Sequence, residues 1–157
     1  METVVSGIRP TGNLHLGNYF GAVKSFLQMQ EEYNCFFFIA DWHSLTTHPH
    51  PDNIRNSAKT ILAEYLACGI DPEKATIYVQ SDVPEVVELY LYLNMNAGIG
   101  ELMRTASFKD KARQQLHISR EGEEGDVERE IFNEGNKHTV SAGLLTYPTL
   151  MAADIII

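Results

Sequence analysis

A segment near the amino terminus combines glycine with polar side chains in an order suited to binding a phosphate group. Arg9, Thr11, His15 and Asn18 all lie within it. Imidazole and amide groups donate hydrogen bonds to phosphate oxygens, and the amide does so without adding charge. Gly17 leaves the backbone uncovered, so that a flat adenine or ribose can lie against it. The segment predicts a nucleotide site, although a simple Pro-Thr-Gly-Asn turn beside a surface histidine would contain the same residues.

A second segment, close to the carboxyl end, places one carboxylate in an otherwise apolar helix. Residues 147–157 read Tyr-Pro-Thr-Leu-Met-Ala-Ala-Asp-Ile-Ile-Ile. Met151 and Asp154 lie three residues apart and share a helix face. A buried carboxylate needs a hydrogen-bond donor, and the N–H of an indole ring is a donor without acceptor capacity. Asp154 therefore fits either an ion-paired structural role or a ligand contact, with the polarizable sulfur of Met151 beside the ring.

Alternating strands and helices must position both segments. Apolar or β-branched runs predict strands, and apolar residues at helical spacing predict the helices between them. Asp52 is expected to cap the second helix and Gly69 to end it. The strands are predicted at 3–8, 35–40 and 76–79, and the helices at 17–32, 54–68, 85–96 and 148–157.

This order of elements indicates an α/β fold. It predicts a Rossmann-like, doubly wound parallel sheet with helices on both faces, incomplete at the carboxyl-terminal end. In such sheets a ligand binds at the carboxyl ends of the strands, which is where Ile8 is followed by Arg9. The phosphate-binding segment is therefore expected at the functional edge of the sheet.

Composition narrows the class of protein further. The net charge of −9 argues against a dedicated nucleic-acid surface, although it allows a local basic patch. The sequence has no run of about 18 apolar residues and no signal-peptide pattern, so we expect a cytoplasmic protein without membrane contact. Cys35 and Cys68 lie in apolar runs, which predicts buried thiols. His48 and His50 lack companions at ligand spacing, so no zinc site is expected.

The charged residues are concentrated in one part of the chain. A charged surface insertion is predicted at about 112–138, inside a single domain that spans 1–157. The chain stops at Ile157 in the middle of an apolar run. Because chain ends usually reach polar surface, we expect a piece of a longer protein.

Two strings carry a family resemblance over roughly 1–111 and 139–157. Residues 7–22, Gly-Ile-Arg-Pro-Thr-Gly-Asn-Leu-His-Leu-Gly-Asn-Tyr-Phe-Gly-Ala, resemble the H-x-G-H-type signature of class I aminoacyl-tRNA synthetases. The form H-L-G-N followed by Y-x-G-A is similar to that of tryptophanyl-tRNA synthetases. The string Y-P-x-L-M-A-A-D-I at 147–155 resembles the tryptophan-recognition helix of bacterial members. The chain thus resembles the amino-terminal part of their catalytic domain.

For the first string the resemblance implies an ATP site. Arg9, Pro10 and Thr11 would line the phosphates and ribose of ATP, where a glutamine is more common than an arginine at the first position. Gly17 and Asn18 would hold the adenosine. His15 and Asn18 would be the catalytic residues, with His15 helping to stabilise the pentavalent phosphorus.

For the second string the resemblance implies a tryptophan site. Asp154 would hold the indole nitrogen, Met151 would lie beside the ring, and Tyr147 would lie near the α-amino group. His43, which follows the second strand in Asp-Trp-His, and Gly7 would be further tryptophan-binding residues.

The implied reaction has two steps. L-Tryptophan and ATP would form tryptophanyl-adenylate, and the amino acid would then pass to tRNA(Trp). Mg2+ would be bound through the phosphates of ATP, with no dedicated protein metal site, and the family suggests a homodimer. The K-M-S-K-S signature and the anticodon domain do not occur in this sequence, so we expect the chain alone to be weakly active or inactive. A tyrosine-specific synthetase and a nucleotide-binding module without ligase activity are the alternatives.

Overall fold

The computed structural model of the chain describes residues 2–47, 51–117, 126–133, 135 and 140–157. Contacts divide the chain into two compact units, Met1–Pro84 and Glu85–Ile157. The first unit contains the sheet, and the described elements of the second are helices. The single domain over 1–157 therefore stays a prediction. Within the described residues, no helix is both long and apolar enough to span a membrane.

A parallel sheet organises the first unit. Its three strands lie in the order β1-β2-β3, and each crossover between them contains helices. This βαβαβ arrangement is one half of a doubly wound fold, so the predicted α/β class and Rossmann-like layout are confirmed. In chain order the elements are β1 Thr3–Ile8, α1 Leu16–Asn18, a π-helical turn Tyr19–Val23, α2 Lys24–Glu32, β2 Asn34–Ile39, α3 Asp41–Leu45, α4 Pro51–Cys68, β3 Ala75–Val79 and a 3₁₀ turn Gln80–Asp82.

The core of the first unit lies between one face of the sheet and helices α2 and α4. The ring of Phe26 on α2 stacks on Phe37 of β2 at 4.3 Å between centroids. The same ring meets the edge of Tyr65 on α4 at 6.1 Å. All three side chains are almost completely buried. Because Phe26, Phe37 and Tyr65 belong to one buried cluster, α2 and α4 lie on the same face of the sheet.

The end of α4 is fixed by a glycine and a buried amide. Gly69 has a φ of 103°, a left-handed conformation that stops the helix as predicted. The Gln30 side chain donates to the Gly69 carbonyl at 3.2 Å and accepts from the Asp71 N–H at 3.0 Å. Buried polar groups that are satisfied in this way specify one packing arrangement. Asp52 does not cap α4 as predicted, because the helix begins at Pro51 and places Asp52 in its first turn.

The second unit is built from six helices in its described residues. Helix α5 packs against α10, where the Tyr90 hydroxyl and Thr146 Oγ1 share a hydrogen bond of 2.6 Å. Thr149 Oγ1 donates to Asn94 Oδ1 at 2.7 Å across the same pair of helices. The elements are α5 Glu85–Asn96, α6 Ile99–Arg104, α7 Ala106–Leu116, α8 Asp126–Ile131, α9 Ala142–Leu145 and α10 Tyr147–Ile156.

The predicted surface insertion at 112–138 contains buried residues. Ala112 on α7 and Val127 on α8 lie in an apolar cluster with Phe108 and Leu144. This part of the sequence has about one apolar residue per helical turn among charged residues, so it shows no visible apolar periodicity. The prediction that the whole segment lies at the surface was therefore wrong at Ala112 and Val127. Residues 118–125, 134 and 136–139 of the insertion lie outside the described residues.

Candidate functional site

The carboxyl end of β1 places Arg9 at the functional edge of the sheet. The Ala40 N–H donates to the Ile8 carbonyl at 2.9 Å, which joins the ends of β1 and β2. Arg9 Nη1 then donates to Thr47 Oγ1 at 3.4 Å, so the guanidinium group is held beside the loop. Pro10 is completely buried and Thr11 is exposed. Of these predicted phosphate contacts, Arg9 and Thr11 offer polar groups to a ligand, whereas Pro10 shapes the turn.

His15 and Asn18 form a reciprocal cap at the start of α1. The Asn18 N–H donates to His15 Nδ1 at 3.2 Å, and the His15 N–H donates to Asn18 Oδ1 at 3.1 Å. A neutral imidazole that accepts at Nδ1 must carry its proton on Nε2. Likewise, an amide that accepts at Oδ1 keeps both protons of its NH2 group for other partners. The cap therefore leaves the imidazole Nε2–H and the two amide protons of Asn18 available to a ligand.

Gly17 is needed for the position of His15. A Cβ atom at residue 17 would lie 2.9 Å from His15 Cε1 and 3.0 Å from His15 Nδ1. The open space expected beside this glycine is therefore occupied by the imidazole ring. Gly12 has a φ of 126°, which a side chain would strain, so this turn also depends on glycine.

The ends of β2 and β3 are joined by one carboxylate. Asp41 Oδ1 accepts from the N–H of Trp42 at 3.0 Å and of Ser81 at 3.1 Å. The buried His43 follows, and its N–H donates to Gln80 Oε1 at 3.4 Å. No sequence pattern indicates Asp41 as a bridge, because its second partner lies 40 residues away. His43 is thus fixed at the carboxyl edge of the sheet, where sequence analysis placed it.

A cavity of about 460 Å³ opens at the same edge. It lies between the ends of β2 and β3 and the first half of α4. Arg55 and Lys59 lie on the helix side of the cavity, and Asp41 and Asp82 lie at the strand ends. The predicted ATP-binding residues are not among those that line it. Mixed charge on its walls indicates a solvated groove rather than a dedicated anion site.

Helix α10 carries the second set of predicted site residues. Tyr147, Met151 and Asp154 follow each other at i, i+4 and i+7, which places them along one helix stripe. Asp154 is 6% exposed and Met151 is 43% exposed. The Lys111 ammonium group lies 4.2 Å from the centre of the Tyr147 ring, a cation–π distance. Lys111 was not predicted as a site residue, and only its lysine-rich surroundings could have pointed to it.

The structure therefore brings the predicted residues together in two groups. The first group lies in the first unit, on and around one loop: Arg9, Thr11, His15, Gly17 and Asn18. The first unit also contains Gly7 and His43. Tyr147, Met151 and Asp154 share one helix in the second unit. The described residues contain no group of three or more His, Cys, Asp or Glu side chains arranged to hold a metal ion. His48 and His50 lie outside the described residues.

Comparison with known proteins gives matches along the whole chain. The family model for class I tRNA synthetases (W and Y) matches residues 1–157. The tryptophan–tRNA ligase of Porphyromonas gingivalis is 72% identical over 157 residues, which is 100% of this chain and 42% of that protein. The chain thus spans about two fifths of the length of this relative.

Solved structures agree with the fold. The tryptophanyl-tRNA synthetase of Mycoplasma pneumoniae superposes with a TM-score of 0.81 at 34% identity, covering 99% of this chain and 40% of that one. The Campylobacter jejuni enzyme, solved with ADP and tryptophan, superposes with a TM-score of 0.76 at 37% identity, covering 99% and 41%. Both therefore share the backbone arrangement described above.

Proposed function

Because this chain belongs to the class I tRNA synthetases of the tryptophan and tyrosine type, we propose that the protein is a tryptophan–tRNA ligase. It activates L-tryptophan with ATP and transfers the amino acid to tRNA(Trp). The 72% identity to a tryptophan–tRNA ligase over the whole length of this chain is the observation that supports tryptophan as the amino-acid substrate. The buried Asp154 on α10 supports it, because a carboxylate is the acceptor that an indole N–H requires.

In the first step, a carboxylate oxygen of tryptophan attacks the α-phosphorus of ATP. The new O–P bond forms as the bond to the β-phosphate oxygen breaks, so pyrophosphate leaves and tryptophanyl-adenylate remains. No covalent bond to the protein is needed, and the rate depends on positioning and on stabilising the phosphate charge. Mg2+ bound through the phosphates of ATP would neutralise part of their charge.

Different loop residues contact different parts of ATP. The Nε2–H of His15 donates to a phosphate oxygen as negative charge develops there, and Arg9 and Thr11 bind the phosphates and ribose. Gly17 and the free amide protons of Asn18 contact the adenosine. The cap between His15 and Asn18 supports these roles, because it orients both donors before ATP binds.

The tryptophan contacts follow the second group of residues. Asp154 accepts from the indole N–H, Met151 packs on the ring, and Tyr147 lies near the α-amino group. Gly7 and His43 are proposed as further contacts.

In the second step, a hydroxyl of the terminal ribose of tRNA(Trp) attacks the adenylate carbonyl carbon, and AMP leaves. Because its substrates are ATP and tRNA, we place the protein in the cytoplasm.

We further propose that the protein is a homodimer that uses helix α5. Val87, Leu91 and Met95 follow at intervals of four residues and are 41%, 51% and 74% exposed. Tyr92 next to them is 59% exposed. A continuous apolar stripe on a helix surface marks an interaction site, and a self-complementary stripe suits a two-fold axis. A Leu91→Lys, Met95→Lys double variant should sediment as a monomer; unchanged mass would contradict the proposal.

Pyrophosphate exchange with the intact protein tests the main proposal. Exchange should require tryptophan, and tyrosine should support it at least about 10³-fold less efficiently, because its phenolic O–H does not occupy the position of the indole N–H and would leave the buried acceptor without its partner. Charging of tRNA(Trp) should follow. Equal or better exchange with tyrosine would identify a tyrosine enzyme, and ATP binding without exchange would identify a nucleotide-binding module.

A further inference from the structure

The nucleotide loop is tied to helix α4 by one carboxylate outside the two signature strings. Glu64 Oε2 accepts a hydrogen bond from the Leu14 N–H at 2.8 Å, across 50 residues of sequence. We propose that Glu64 is a positioning residue for His15, which it orients through the backbone of Leu14. This inference rests on the proposed function, because it assigns a role within the same ATP site.

The other hydrogen bonds of segment 10–18 in the described structure are local. The Thr11 N–H donates to the Arg9 carbonyl at 2.9 Å, and the reciprocal cap joins His15 to Asn18, three residues away. Local bonds give the loop its shape. The loop is attached to the core by the apolar packing of Leu14 and, among the hydrogen bonds of the described structure, by the bond from the Leu14 N–H to Glu64.

Glu64 is presented by a rigid part of its helix. Ile61 and Tyr65, which flank it on α4, are 1% and 0% exposed and belong to the core beneath the sheet. A side chain on such a helix holds its partner more closely than a side chain on a loop would. An ionised carboxylate also forms a shorter and stronger hydrogen bond to N–H than a neutral acceptor does.

Fixing Leu14 N–H matters because the next residue is His15. The Leu14 N–H belongs to the peptide plane between Asn13 and Leu14, which carries the Cα of Leu14. A shift of that plane moves the Leu14 Cα and, through the next peptide unit, the imidazole ring of His15. Displacement of a catalytic group by about 1 Å can lower the rate by about 10²-fold. The carboxylate therefore acts on ATP through the loop, without touching the ligand.

The test compares three variants of Glu64 with a matched control in the intact protein. Glu64→Leu removes the acceptor, Glu64→Asp keeps the charge but shortens the reach, and Glu64→Gln keeps a neutral acceptor at the same reach. Glu73→Gln makes the same chemical change at an exposed position in the turn before β3. The readouts are kcat and the separate KM values for ATP and tryptophan in pyrophosphate exchange, the calorimetric Kd for ATP, and amide exchange of residues 10–18.

Loss of a hydrogen bond to a charged group predicts a fall of about tenfold in kcat/KM for ATP in Glu64→Leu. Glu64→Asp should fall by a similar factor, while Glu64→Gln should recover to within about threefold and Glu73→Gln should match the unchanged protein. The KM and the calorimetric Kd for ATP should rise while the KM for tryptophan stays constant, because a general loss of folded protein would lower only the apparent kcat and leave both KM values unchanged. Amide exchange at Leu14 should become faster in the Leu and Asp variants.

Two results would overturn the inference. One is an unchanged kcat/KM for ATP in Glu64→Leu, and the other is unchanged amide exchange at Leu14. If Glu64→Leu fails to fold, Glu64→Asp and Glu64→Gln decide between the outcomes. If the unchanged protein shows no tryptophan-dependent exchange, the proposed function fails, and the ATP Kd and amide exchange still report on Glu64.

Discussion

Replacing Gly17 with alanine should separate catalysis from stability. The added Cβ would lie 2.9 Å from His15 Cε1 and 3.0 Å from His15 Nδ1, closer than real side chains approach one another. The imidazole must then move away, and the bond from the Asn18 N–H to His15 Nδ1 is lost. Loss of such a cap costs about 1 kcal/mol. Because alanine favours the helix by about 1 kcal/mol over glycine, the free energy of unfolding should change little.

The effect on the proposed activity should be much larger. A ring moved by several tenths of an ångström or more no longer aims Nε2–H at the phosphate, so kcat should fall by about 10²-fold, or about 2.7 kcal/mol of transition-state stabilisation. Tryptophan-dependent pyrophosphate exchange measures kcat, and urea unfolding measures stability.

Gly21→Ala supplies the reference for helix propensity. A Cβ at residue 21 meets no heavy atom within 4 Å, so this variant should gain the full increment of about 0.5–1 kcal/mol in stability. Gly17→Ala should gain about 1 kcal/mol less than Gly21→Ala. If Gly17→Ala keeps kcat within about twofold, or gains as much stability as Gly21→Ala, the argument from the imidazole position is refuted.

Three further predictions concern other residues. Gly7→Ala places a Cβ 2.6 Å from the Phe38 carbonyl oxygen, so urea unfolding should show a loss of about 1–3 kcal/mol; no loss would contradict the close approach of β1 and β2. Asp154→Ala should raise the calorimetric Kd for tryptophan by about 10²-fold, and an unchanged Kd would remove Asp154 from the pocket. Burial raises the pKa of Tyr65 above its ordinary value of 10.0. As the pH rises, the unfolded chain therefore loses the Tyr65 proton before the folded chain does. The free energy of unfolding is unaffected by this group below about pH 10, and above it decreases by on the order of 1 kcal/mol per pH unit. Tyr65→Phe should lose less stability than the unchanged protein between about pH 10 and 11.5, as measured by urea unfolding at each pH.

The three strands and the helices predicted at 17–32, 54–68, 85–96 and 148–157 could be found because their signals are local. Helices α3, α6, α7, α8 and α9 were not predicted. The apolar run that predicts a strand at 35–40 corresponds to β2 at Asn34–Ile39. The helix predicted at 85–96 has those bounds in the structure, since Pro84 precedes it and is unsuited to a helix interior. The α/β order follows from such signals alone.

The contacts that position the loop could not be predicted in the same way. Leu14 and Glu64 are 50 residues apart, and nothing in the sequence distinguishes Glu64 from a glutamate that is simply exposed on a helix. The bridge from Asp41 to Ser81 is equally distant in sequence. The role of Gly17 beside His15 depends on a side-chain rotamer. Such features arise from tertiary packing, which propensity and spacing do not encode.

The π-helical turn at Tyr19–Val23 determines the rotation of the nucleotide loop about the axis of α2. The Lys24 N–H bonds to the Tyr19 carbonyl, so this turn holds one residue more than an α-helical turn. Each residue of an α-helix rotates the chain by about 100°. Deleting one residue here would restore regular helix and turn His15 by about that angle around the axis, while α2 kept its buried face. Length at this turn is therefore as constrained as residue identity, and natural insertions or deletions should be tolerated elsewhere on the surface before they are tolerated here.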